Sequence, residues 1–278
     1  MKPRWRGAFL YPAALVALFL GLQGLLALAG VPLTQQPTIA AFPSLAALLL
    51  SLPWRLKRAW GESSPWTRLG VRCRWTLLLK SLLRGWLLAG ALLLFIVVAL
   101  LIAGSQGQWD LTPGLLLNAV ALGLGVGFSE ELLFRGWLLG ELTLLIGYGR
   151  ALWLQALLFS LVHTRFDLPP AELLPLLGGL FLFAVVLAEL RQRDGGVLWG
   201  AIGLHGGAVG GWFLLSQGLL KLDGTGPAWL LSTANPIGGL IGWVGLGLLL
   251  AGLKTQLPNQ RTAVAKAARP DTGARRAS

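Results

Sequence analysis

Gly127-Phe128-Ser129-Glu130-Glu131-Leu132-Leu133-Phe134-Arg135-Gly136-Trp137 sets two adjacent carboxylates and an arginine inside a stretch otherwise suited to hydrocarbon. Mostly apolar residues lead into it from Leu111, and a mainly apolar run broken by Glu141 follows to Ile146. The charges therefore lie within a segment rather than in a loop between helices. An ionised side chain at the centre of a membrane helix costs roughly 2.5 to 3.5 kcal/mol on insertion scales, so three together must pair, face a wet cavity or take part in chemistry.

The rest of the chain reads as a scaffold for that stretch. Of its 278 residues 55% are hydrophobic and only 12% charged, with a mean hydropathy of +0.70. Soluble domains carry about 25% charged residues. An integral, multi-pass membrane protein follows, with an all-α fold: a polytopic transmembrane helix bundle. The net charge of +12 does not point to nucleic acid, because the 23 basic residues gather beside apolar runs rather than on one periodic face. Orientation in the bilayer and contact with anionic lipids account for them better.

Eight crossings are expected: residues 7–31, 38–53, 85–104, 111–146, 151–164, 171–190, 197–217 and 236–253. The second is short, about sixteen residues, and the fourth exceeds the ~20 residues a span needs, so that helix is long, tilted or broken near Gly123, Gly125 and Gly127. Glu141, near its end, is expected at the headgroups. Residues 54–84 interleave Arg55, Lys57, Arg58, Arg68, Arg72, Arg74, Lys80 and Arg84 with four tryptophans, the mark of an interfacial helix or loop. Eight crossings place the basic loops on one side with both termini, which the positive-inside pattern makes cytoplasmic. The organisation expected is an N-terminal part over 1–84, a core over 85–254 and a disordered basic tail over 255–278. Lys2, Arg4 and Arg6 precede an apolar run longer than the 7 to 15 or so residues of a signal-peptide core, so the first segment is taken as a span. The single cysteine, Cys73, excludes an intramolecular disulfide; Arg72 and Arg74 beside it would lower its thiol pKa, but an inert loop cysteine is the simpler reading.

Helix geometry divides the motif. Glu131 and Arg135 stand at i and i+4 and form an ion pair that eases both into the membrane. Glu130 lies about 100° away around the helix, and its own i±4 neighbours, Val126 and Phe134, carry no charge. It is the free carboxylate. The chain has two histidines: His163, four residues after Phe159, and His205, among Gly203, Gly206, Gly207, Gly210 and Gly211. Ionisable groups within spans mark functional sites. Glu130 with His163 can hold and deprotonate a water, and small-residue spacings such as Gly203 with Gly207 and Gly207 with Gly211 would bring His205 close enough to stabilise an oxyanion. Ser129 and Ser160 read as helix hydrogen-bonders rather than nucleophiles. Glu130, His163 and His205 would also make a two-histidine, one-carboxylate zinc set.

Glu-Glu-x-x-x-Arg at 130, 131 and 135, Phe-x-x-x-His at 159 and 163, and a histidine at 205 on a later glycine-rich helix resemble the CPBP family, the CAAX proteases and bacteriocin-processing enzymes also called Abi proteins. The resemblance covers roughly residues 111–217. It implies an intramembrane endopeptidase of the glutamate type. Glu130 and His163 would activate water, His205 would belong to the oxyanion site, and Glu131, Arg135 and Phe159 would support them. No cofactor or metal is implied, and the substrate would be a membrane-embedded or lipid-modified peptide, in the plasma membrane or an internal one. Many members carry Asn four residues after the last histidine; this chain has Val209. That departure keeps open a catalytically weak or inactive binding or immunity protein on the same fold. A transporter would require an internal repeat, which the sequence lacks.

Overall fold

The structure, a computed structural model, describes residues 4–33, 35–222, 227 and 229–255. The expected basic tail and Asp223 lie outside the described residues. Helix α1 spans Trp5–Leu28, α2 Gln36–Trp60, the short α3 Pro65–Arg68 and α4 Trp75–Ile102. A two-residue strand β1 (Gln106–Gly107) follows. Then α5 (Pro113–Glu131), a π-helical segment (Leu132–Leu138) and α6 (Leu139–Ile146) run on as one rod. Next come α7 (Tyr148–Val162), α8 (Pro170–Arg193) and α9 (Trp199–Leu214). Helix α9 ends in a second π segment (Leu215–Leu219), followed by β2 (Leu220–Lys221) and α10 (Leu240–Thr255).

Five of these rods are long and apolar enough to cross a membrane: α1, α2, α4, the composite rod from Pro113 to Ile146, and α8. α7 and α10 are shorter apolar helices. Leucines such as Leu28, Leu87, Leu94 and Leu117 stand exposed along the outside, which suits a lipid solvent and no aqueous one. The chain is a multi-pass integral membrane protein with a helical-bundle fold.

The second apolar segment is longer than the roughly sixteen residues expected: α2 continues for 25 residues to Trp60, where Gly61 caps it at φ +69°. Residues 54–60 of the basic stretch accordingly belong to α2 and residues from Trp75 onward to α4, with the short α3 between them. Of the forms open to the motif rod, it takes the long one. It passes straight through Gly123, Gly125 and Gly127 and widens into π geometry only after Glu131.

Helix α9 is the axis of the bundle, packed between α4 and α5. Two glycine ridges allow this. Gly203, Gly207 and Gly211 face α4: a methyl added at Gly207 would lie 2.7 Å from Ala89 Cβ, and one at Gly211 2.6 Å from Leu93 Cδ1. The neighbouring ridge, Gly206 and Gly210, meets the carboxylate helix, and a methyl added at Gly127 would lie 2.8 Å from Gly206 Cα. The contact that carries His205 to Glu130 is thus made by Gly206 and Gly210, not by the spacing that the sequence suggests. Backbones this close are available only to residues without a side chain. At the far end β1 pairs antiparallel with β2, and the Asp110 amide donates to the Gly218 carbonyl at 2.9 Å, tying the start of α5 to the end of α9.

Candidate active site

Glu130 sits in the last turn of α5, His163 caps the C-terminus of α7, and His205 lies in α9. Their side chains converge. Glu130 Oε2 is 3.4 Å from His163 Nε2 and 3.9 Å from His205 Nε2. That oxygen has no hydrogen-bond partner within the protein. The Glu130 and His163 side chains are 27% and 31% exposed, while Glu130 Oε2 itself and His205 are buried.

The other ring nitrogens fix how the histidines are presented. His163 Nδ1 lies 2.7 Å from the Phe159 carbonyl, which can only accept, so Nδ1 carries the proton and Nε2 faces Glu130. The i to i+4 step from Phe159 to His163 makes this bond local to one helical turn. His205 Nδ1 lies 2.7 Å from Glu131 Oε1. The same oxygen accepts from Arg135 Nη1 at 2.8 Å, so Glu131 is the acceptor and His205 Nδ1 the donor. The expected ion pair is present and fully buried, but it is more than a device for membrane insertion, because Glu131 also orients His205.

Phe159 is the wall shared by all of these groups. Its ring meets Phe134 edge-on at 5.0 Å, touches His163 at 4.6 Å and His205 at 5.9 Å, and lies 4.0 Å below the Arg135 guanidinium. Cation–π contact of this kind holds a desolvated arginine with about 2 kcal/mol or more. The π segment bears on the same point. Its wider turn begins directly after Glu131 and holds Phe134, Arg135 and Trp137 buried on one rod, and such segments recur at functional sites.

Several participants escape a reading of the sequence. Phe183 of α8 packs edge-on against His205 at 5.3 Å. Arg191, in the last turn of α8, turns inward. It donates to the carbonyls of Arg135, of Leu69 at 3.2 Å and of Gly196 at 3.1 Å. Glu141 does not reach out of the protein. It is fully buried, paired with Arg55 at 2.9 Å and bonded by the Trp60 indole. Arg55 also covers the Tyr11 and Trp137 rings, which joins α1, α2 and the motif rod. The only signal for either was a charge too deep in an apolar run.

Ser129 and Ser160 spend their hydroxyls on the carbonyls of Gly125 and Leu177, each at 2.7 Å, as helix bonders do. Val209 lies one turn past His205, half-buried. Burial, not the flanking arginines, dominates at Cys73, and it pushes the thiol pKa up. Among the described residues no group of three or more His, Cys, Asp or Glu side chains stands in a metal-holding arrangement.

No curated protein and no solved structure matches the chain. A family model does: the one described as Rce1-like, type II CAAX prenyl endopeptidase, over residues 112–210. That range starts at the N-cap of α5 and ends just past His205, so it contains Glu130, Glu131, Arg135, Phe159, His163 and His205. It is the part of the chain that builds the site, and over it the chain is similar to the Rce1-like type II CAAX prenyl endopeptidases.

Proposed function

We propose that the protein hydrolyses a peptide bond of a membrane-embedded or lipid-modified substrate, with Glu130 and His163 activating the water and His205 stabilising the oxyanion. The observation that carries this reading is the convergence of two Nε2 atoms on the unpartnered Glu130 Oε2, at 3.4 and 3.9 Å. A water held between Glu130 and His163 Nε2 attacks the carbonyl carbon, and one of its protons passes to the carboxylate. The carbonyl oxygen becomes an oxyanion next to His205, which donates to it through a proton on Nε2 while Nδ1–H stays with Glu131. Glu130 then returns its proton to the departing nitrogen as the C–N bond breaks, leaving a carboxylic acid, which keeps the water's other proton, and an amine. No covalent enzyme intermediate forms. The proposed setting is an eight-crossing bundle with both termini on the basic, cytoplasmic side, whose basic loops bind anionic lipids.

Comparative proteomics of membrane-protein C-termini and cleavage products, in cells carrying wild type or Glu130→Gln, tests the proposal. Products that vanish with Glu130→Gln support it, and identical profiles remove it. A zinc-dependent variant on Glu130, His163 and His205 is separated by chelation: activity that survives a chelator belongs to the glutamate mechanism, and loss restored by zinc to the other. The second reading, an inactive binding or immunity protein, rests on Val209. A loss of one oxyanion donor costs about 2.7 to 4 kcal/mol in other hydrolases. It wins if Glu130→Gln leaves the cellular phenotype intact and purified protein in lipid cleaves nothing.

A further inference from the structure

The face of α7 that ends at His163 carries polar groups for which the hydrolytic scheme has no use. Tyr148, Leu152, Gln155, Phe159 and His163 recur at spacings of three and four and so form one stripe along the helix. Gln155 is fully buried, and neither its side-chain oxygen nor its nitrogen has a partner in the protein. The same is true of the Tyr148 hydroxyl, of Arg135 Nε and Nη2, and of Glu131 Oε2. These groups share one sector of the bundle. Arg135 lies over Phe159, one turn along the stripe from Gln155, and α7 touches the π segment there. Arg191 of α8 donates to the Arg135 carbonyl on the other side.

A buried polar group left without a partner costs about 1 to 3 kcal/mol, so six such atoms along one path are not tolerated bare. What satisfies them must both donate and accept. The amide needs both, the guanidinium needs an acceptor, and Glu131 needs a donor. It must also be small, since the sector is packed with Leu152, Phe159 and Leu187, all buried. Water meets every requirement, with two to four partners for each molecule being about the usual number.

We propose that a file of bound water runs beside α7, from Tyr148 past Gln155 and Arg135 to Glu131, and resupplies the hydrolytic site from the end of the bundle that carries Arg150. Each turnover consumes one water, and a substrate seated over Glu130 and His163 covers their exposed surface. A second entry keeps the site wet while it is occupied. The purpose of the file rests on the hydrolytic reading above; its existence does not.

The test uses the full chain in lipid nanodiscs, as wild type, Gln155→Met and Gln155→Glu. Radiolytic hydroxyl-radical labelling reports side chains that touch bound water, buried or not. Phe159 and Tyr148 should label in the wild type and in Gln155→Glu, and fall toward the level of the lipid-facing Phe42 in Gln155→Met. Unlabelled Phe159 in the wild type, or labelling indifferent to Gln155→Met, overturns the proposal. With a cleavable substrate, Gln155→Met should lower kcat about tenfold with KM unchanged and the melting temperature not reduced. A drop in activity that comes with a lowered melting temperature and is not rescued by Gln155→Glu marks a packing role and also overturns it. A wild type that labels as expected yet cleaves nothing would remove the protease reading and leave the water file standing.

Discussion

Replacing Glu131 by Gln separates two things the carboxylate does. Arg135 is fully buried, and its Nη1 meets Glu131 Oε1 at 2.8 Å, the one carboxylate within ion-pair range of it among the described residues. Glu131→Gln leaves a buried guanidinium without its ion-pair partner, and breaking a buried pair from one side costs roughly 3 to 5 kcal/mol. Removing both charges, as Glu131→Gln with Arg135→Gln, should return most of that loss, because two neutral amides carry no charge to strand. Activity should not follow stability. His205 Nδ1, 2.7 Å from the same oxygen, loses its carboxylate in both variants, so the double variant should be folded and still slow. The assay pairs thermal unfolding in detergent with turnover of a cleaved peptide. A single variant destabilised by less than about 1 kcal/mol, or a double variant that regains activity along with stability, would refute the shared role.

Further outcomes follow from other contacts. Arg55→Met or Glu141→Gln alone should destabilise by about 3 to 5 kcal/mol, and the double variant by much less, measured by the same unfolding assay. Gly127→Val should cost about 1 to 3 kcal/mol, since its Cβ would stand 2.8 Å from Gly206 Cα, and it should lower turnover more than it lowers melting temperature by pushing His205 away from Glu130. Cys73, its thiol pKa raised by burial, holds less thiolate at a given pH than an exposed cysteine. Its maleimide labelling at pH 8 should therefore run slower than that of a free peptide, with a rate still climbing above the usual thiol pKa of about 8.5.

The rods and the meeting of Glu130 with both histidines were legible in the sequence, for one physical reason: hydrocarbon makes every charge conspicuous. The same logic misled at Glu141, whose carboxylate was read as reaching outward and instead turns into the protein. Its partner Arg55 is 86 residues away, and no local pattern announces so distant a pair. Arg191 is no easier to read, because an arginine at a helix end looks like a headgroup ligand until its acceptors are seen to be the backbone carbonyls of Arg68, Leu69, Arg135 and Gly196. The π segment left no trace at all. Its side chains Phe134 and Trp137 pack against α1, α2 and α7, and helical spacing alone could not distinguish it from α-helix.

The Arg55–Glu141 pair also bears on how the protein is made. Synthesis delivers α2 long before the motif rod, so Arg55 enters the bilayer region as a lone cation and must keep its head in the interface. Glu141, emerging later, can settle in the protein interior only where that arginine and the Trp60 indole already wait. Docking of the first two helices is then a condition for seating the rod that bears Glu130, and a chain shorn of them should be recognised by membrane quality control as unfinished, although every residue of its catalytic motif is present.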